Sequence, residues 1–224
     1  MKSYLNAIRA VIWKDLTAEW RTRENLSAML VFALLVILIF NFALELDIQA
    51  QESLSAGVLW TTFLFAGTIG LNRSLAVEKD RGCLDGLLLA PVDRSVIYFG
   101  KALSNLVFMV LVEIIVLPIY SFLYQVPVFN PGFLMVVILG SIGYVAVGTL
   151  LATMVVQVRL RDILLPILLF PLTLPVVIAA VKASYGFLQM VPLGEITPWL
   201  NLLIVYDLIF IAIAFMVFDF VVEE

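Results

Sequence analysis

The chain has 224 residues, of which 63% are hydrophobic and 13% charged, with a net charge of −4 and a mean hydropathy of +1.12. Soluble domains carry about 25% charged residues, and a fold of this size in water would leave far too much apolar side chain outside, so lipid must be its solvent. The composition also excludes function classes: no basic face exists to neutralise the phosphates of a nucleic acid, the lone Cys83 forms neither an intrachain disulfide nor a thiolate metal cage, and the absence of histidine removes the commonest metal ligand and general acid–base group.

The first 25 residues, MKSYLNAIRAVIWKDLTAEWRTREN, lack the apolar core of about 7–15 residues that a cleaved signal needs, so they are expected to be retained. Leu5, Ile8, Ile12 and Leu16 recur at helical spacing, and Trp13 and Trp20 suit a membrane interface. The pattern predicts an amphipathic helix over residues 1–26, lying on the membrane surface. It is imperfect, because Asp15 and Glu19 fall near the apolar side. Asp15, Glu19 and Arg23 form an i, i+4, i+8 row, with Glu19 and Arg23 in the favourable order for a pair. The row reads either as a solvated stripe or as a docking row for a cytoplasmic partner.

Six apolar runs are long enough to cross a bilayer, at residues 27–44, 54–71, 95–124, 133–156, 163–181 and 199–222. They are too long for barrel strands and lack strand alternation, so the fold class is an all-α membrane protein built as one polytopic domain of six transmembrane helices. Twelve of the thirteen Lys and Arg residues fall on segments that six crossings place on one face, and only Lys182 falls on the other. By the positive-inside rule that face is cytoplasmic, with both termini inside.

Between the second and third spans the chain reads VEKDRGCLDGLLLAPVDRSVIYFGK, residues 77–101. A short helix is expected over 76–83, then a break at Gly82 and Gly86, an apolar patch at Leu87, Leu88 and Leu89, and Pro91, before which a helix ends. Asp93 stands where the third span needs an N-cap. Glu78, Lys79, Asp80, Arg81, Asp85 and Arg94 rim the patch with charge. Such a patch reads as a partner surface or as a lipid-facing interfacial loop. The last outer segment, residues 182–199, KASYGFLQMVPLGEITPW, is broken by Gly and Pro yet apolar. It is expected to form one or two short helices dipping into the outer leaflet.

Two carboxylates lie inside spans, Glu113 and Asp207, with no Lys or Arg at their depth. Buried acids in lipid are costly, so both are expected to face the bundle interior, hydrogen-bonded to hydroxyls or amides, as structural polar glue or as part of a substrate path. Gly140, Gly143, Ala146 and Gly148 in the fourth span allow close helix approach. Pro166, Pro171 and Pro175 in the fifth each remove a backbone hydrogen bond. No phosphate-binding loop, nucleophile turn or metal motif is present, so no catalytic or metal-ligating residue is assigned and the chain is expected not to be an enzyme.

Six spans, an amphipathic N-terminal helix and a charged segment after span two resemble the permease of a type-2 ABC exporter. The segments at residues 14–25 (KDLTAEWRTREN), 78–101 (EKDRGCLDGLLLAPVDRSVIYFGK), 159–181 (RLRDILLPILLFPLTLPVVIAAV) and 206–224 (YDLIFIAIAFMVFDFVVEE) are more narrowly similar to the haem exporter protein B family, the membrane permease subunit of the cytochrome c maturation transporter. The resemblance implies a multi-pass protein of the cell inner membrane, and partnership with a cytoplasmic ABC ATPase, other cytochrome c maturation membrane subunits and a haem chaperone. It further implies ATP bound only in the partner subunit, no covalently bound cofactor, and haem as the cargo of the complex. Residues 78–94 would then be the coupling segment seated in the ATPase, and residues 4–25 the elbow helix. Two rival readings stay open: a permease for a lipid, glycan or drug, and a membrane scaffold that transports nothing.

Overall fold

A computed structural model describes residues 2–44, 48–80, 82, 83, 86 and 94–221. Among these residues the chain forms seven helices: α1 (Lys2–Thr22), α2 (Glu24–Leu44), α3 (Ile48–Asp80), α4 (Arg94–Tyr124), α5 (Pro131–Val155), α6 (Arg161–Leu188) and α7 (Leu193–Val221). All but α1 are long and apolar enough to cross a membrane. In lipid only a helix satisfies its backbone hydrogen bonds within a single crossing segment, and runs of Leu, Ile, Val and Phe supply the surface that the lipid tails meet.

Burial divides these helices by position. Met29, Ala33 and Ile37 of α2 recur every fourth residue and are buried, while Val31, Leu35 and Phe42 point outward. Helix α2 therefore joins the bundle by one stripe and gives the rest of its surface to lipid. Helix α5 is the opposite case, with buried residues on every side and no Asp, Glu, Lys or Arg. It packs against α3, α4, α6 and α7. Its glycines make this possible. A Cβ at Gly140 would collide with the Trp60 ring, and one at Gly148 with Leu71. The small residues of the fourth span thus admit side chains from neighbouring helices into the space a methyl would fill. Asn130 starts α5: its side chain accepts from the Gly132 N–H at 2.9 Å, with Pro131 at the first helical position.

Two expectations are corrected. No separate short helix begins near residue 76, because α3 runs unbroken through the apolar stretch and on to Asp80. Leu71 and Leu75, both buried, keep one face of the extension on the bundle. Gly82 follows at φ +67, a left-handed conformation that suits glycine, and its N–H closes the turn onto the Lys79 carbonyl at 3.0 Å. Nor does the last outer segment form separate short helices. Helix α6 continues to Leu188, a turn over residues 189–192 reverses the chain, and α7 starts at Leu193 and continues through Pro198. Packing accounts for this: Ser184, Gly186, Leu188 and Ile196 are buried, and the Trp60 indole donates to the Ser184 hydroxyl at 2.9 Å. The three prolines of α6 leave the helix continuous.

Candidate functional site

Helices α1, α3 and α4 meet in a cluster of charge at one end of the bundle. Lys101, in the second turn of α4, is 2% exposed. Its ammonium donates to both carboxylate oxygens of Asp15 on α1, at 3.0 Å each, and lies 2.7 Å from Glu78 Oε2 at the end of α3. Lys14 closes the ring, donating to Glu78 and standing 3.3 Å from Asp15. Two ammoniums and two carboxylates alternate, so each charge faces its opposites, which is what makes a buried ionic group tolerable. Burial alone would lower the Lys14 pKa, but the Glu78 hydrogen bond and the Asp15 charge outweigh it and raise it above the ordinary lysine value. A raised value in the folded state means that the contribution of Lys14 is in place at neutral pH and is lost only in alkali.

The cluster is buttressed on all sides. Val11 of α1 rests directly on Gly100 of α4, where a Cβ would stand 2.7 Å from it. Tyr4 Oη and Ser95 Oγ share a 3.0 Å hydrogen bond between the same two helices. Glu19 accepts from the Leu26 N–H at 2.8 Å, placing a carboxylate at the N-terminus of α2, where the helix dipole favours it. Arg73 of α3 pairs with Glu24 of α2. Arg161, the first residue of α6, donates to both oxygens of Asp80 at 2.8 and 3.0 Å, and Asn72 donates to Asp162 at 2.9 Å. A cleft of about 90 Å³ opens between Glu19, Glu24, Arg73 and Lys101. The last turn of α3 is therefore tied by charge to α1, α4 and α6, just before the chain leaves for residues 81–93.

The structure places the sequence-predicted residues in three groups. Glu78 is half-buried in the ion cluster, Asp80 is exposed and holds Arg161, and Lys79 is half-buried between them. Arg81, Asp85, Leu87, Leu88, Leu89 and Asp93 lie outside the described residues, as does the Arg94 side chain, although Arg94 opens α4. Asp15 and Glu19 are buried, at 7% and 8% exposure. Neither the solvated stripe nor the docking row describes them, because one neutralises Lys101 and the other caps α2. Arg23 leaves the row entirely. It sits between α1 and α2 at φ +53, with its guanidinium 5.9 Å from the centre of the Trp20 ring. Sequence reasoning missed the pairing of Asp15 with Lys101. The available signal was an acid on the apolar side of an amphipathic helix, matched by a lysine two turns inside the third span.

Both intramembrane acids face the bundle interior, as expected. Glu113 of α4 accepts from the Ser141 hydroxyl of α5. Asp207 of α7 is 5% exposed, and neither of its oxygens has a hydrogen-bond partner among the described residues; the expected hydroxyl or amide partner is absent there. The Glu113→Gln variant retains an acceptor for Ser141 without the charge. It is expected to fold as the parent does, with a thermal midpoint within about 3 °C in detergent, corresponding to less than about 1 kcal/mol.

Comparison with known proteins covers nearly the whole chain. The profile of the CcmB protein family matches residues 6–222. A protein of Rhodobacter capsulatus named heme exporter protein B is 27% identical over 174 residues, covering 76% of this chain and 79% of the relative. A Pseudomonas aeruginosa protein of the same name is 24% identical over 196 residues, covering 87% and 88%. A Bradyrhizobium diazoefficiens relative, again so named, is 24% identical over 181 residues.

Proposed function

The chain belongs to the CcmB protein family, and from that premise we propose that it is the permease subunit of an ABC transporter that exports or handles haem for cytochrome c-type biogenesis. The haem assignment rests on the relatives, which are named heme exporter protein B. In this reading ATP is bound and hydrolysed by a separate cytoplasmic subunit, this chain is not an enzyme, and turnover drives release of a haem-loaded chaperone on the outer face. The membrane is the cell inner membrane, with both termini cytoplasmic.

One observation carries the mechanical part: the ion-paired end of α3. A partner that pushes on residues 81–93 pushes on the end of α3, and Glu78 and Asp80 are fastened to Lys14, Lys101 and Arg161. Force applied there enters α1, α4 and α6 together. The buried links of Lys101 to Asp15 and Glu78, reinforced by the Val11–Gly100 contact, are stiffer than a lipid-floating loop. The segment beyond is charged and carries Leu87, Leu88 and Leu89, chemistry suited to a groove on a soluble protein.

Purification of the tagged chain from its native membrane in mild detergent tests this reading. An ATPase and cytochrome maturation subunits are expected to accompany it. In Leu88→Asp the ATPase is expected to fall at least tenfold while the membrane subunits remain. Retention of the ATPase in that variant would remove the coupling role from the segment, and partners from a glycan or lipid pathway would remove the haem assignment.

A further inference from the structure

Asp207 stands at the midpoint of α7 and Gly143 at the midpoint of α5, so both lie about 18–21 Å from the ends of their helices at 1.5 Å per residue. The carboxyl fills the space beside Gly143 that a side chain would occupy: a Cβ there would collide with Asp207 Oδ1, and would also crowd the Tyr206 ring at 3.1 Å and Val176 at 3.2 Å. The Tyr206 hydroxyl is turned away, donating to the Leu172 carbonyl at 2.9 Å. The slot beside Gly143 is thus shared by the carboxyl, an aromatic edge and an aliphatic methyl, and neither carboxyl oxygen has a hydrogen-bond partner among the described residues.

Among the described residues no compensating charge pairs with Asp207. Helix α5 has no charged residue, and its Tyr144 hydroxyl is engaged with Thr68 and the Leu64 carbonyl. The charged residues of α6 are Arg161 and Asp162 at one end and Lys182 six residues beyond Val176. On α4, Glu113 is itself an acid, bound to Ser141, and Lys101 belongs to the distant ion cluster. On α7, the other charged residues are Glu195 and Asp219, each twelve residues away and both acids. An ionised carboxylate in such a setting would lose its hydration and gain nothing for it.

We propose that Asp207 is a proton-binding site in the middle of the bundle, occupied while α7 is closed onto the Gly143 slot of α5. The proton comes from water as the seam closes and returns to water when it opens, so ionisation of Asp207 and separation of α5 from α7 are one event. This is independent of what the complex transports.

Infrared difference spectroscopy of the whole chain in lipid nanodiscs tests it, because a protonated carboxyl and a carboxylate absorb in separate bands. Spectra of the Glu113→Gln chain minus those of Glu113→Gln/Asp207→Asn isolate Asp207. The expected result at neutral pH is a protonated-carboxyl band with no matching carboxylate band, and an unchanged melting temperature in Asp207→Asn, since Asn is the neutral isostere. A carboxylate band alone at neutral pH would overturn the proposal, as would a strongly destabilised Asp207→Asn. Gly143→Ala, which fills the slot, is expected to shift the signal from the protonated band to the carboxylate band. An intact protonated band in that variant would show that closure on Gly143 is not what holds the proton.

Discussion

Lys101→Met is expected to be among the most damaging single changes in the chain. It removes one cation from a site where Asp15 is 7% exposed and the Glu78 side chain 13%. Both carboxylates would be left facing the bundle with only Lys14, itself 43% exposed, between them. Breaking a buried pair by removing one partner costs about 3–5 kcal/mol, a fall in thermal midpoint of roughly 6–20 °C for a chain of this size. Melting of the purified protein in detergent measures it. Pairing Lys101→Met with Asp15→Asn removes the orphaned charge along with its partner, so the double variant is expected to recover part of the loss. Additive losses would mean that the two residues do not interact.

The second large effect is expected from Gly140→Val. The site faces the Trp60 ring with no room for a Cβ, and Trp60 is 3% exposed and fixed by its bond to Ser184. A buried aromatic ring tied through its N–H does not yield as the end of a flexible side chain would. Overpacking of this kind costs about 1–3 kcal/mol, and loss of the Trp60–Ser184 bond adds to it. Trp60 fluorescence, read in a chain carrying Trp13→Phe, Trp20→Phe and Trp199→Phe, offers a direct reading: the emission of the Gly140→Val protein is expected to shift as the indole leaves its hydroxyl partner. An unchanged emission and melting point would mean that α5 can move aside. Combining Gly140→Val with Trp60→Leu is expected to restore much of the stability, because the smaller side chain vacates the slot.

How much of this was legible in sequence depends on the kind of signal. The six crossings were, since apolar length alone distinguishes lipid-spanning helices, and each predicted run lies within or close to an observed helix. The ends were not. Residues 76–83 read as a separate short helix, yet α3 runs on from the span to Asp80 because Leu71 and Leu75 keep a face on the bundle. The segment 182–199 looked like short separate helices, yet Gly186 receives Ile196 and only the turn over residues 189–192 interrupts two long helices. The candidate site was legible as two separate halves. Asp15 of α1 and Lys101 of α4 are 86 residues apart, and periodicity within one helix cannot reveal a partner on another. Asp207 was recognisable as an acid in lipid, but the slot that receives it depends on Gly143, whose meaning appears only when α5 and α7 are side by side.

The glycine face of α5 also constrains how the bundle can rearrange. Its notches at residues 140 and 148 are filled by Trp60 and Leu71, both from α3. A key seated in two notches fixes a shaft against sliding as well as turning: an axial shift by even one residue would drive both side chains into the helix wall. Helices α3 and α5 are thus locked as one unit that runs from Glu78 and Asp80 into the centre of the bundle. On the coupling role proposed above, a displacement of the end of α3 would carry α5 with it. Helix α2 is held to the same unit in the same way, because Met29 fills the notch at Gly70 of α3 and Asn25 donates to the Gly70 carbonyl at 3.4 Å.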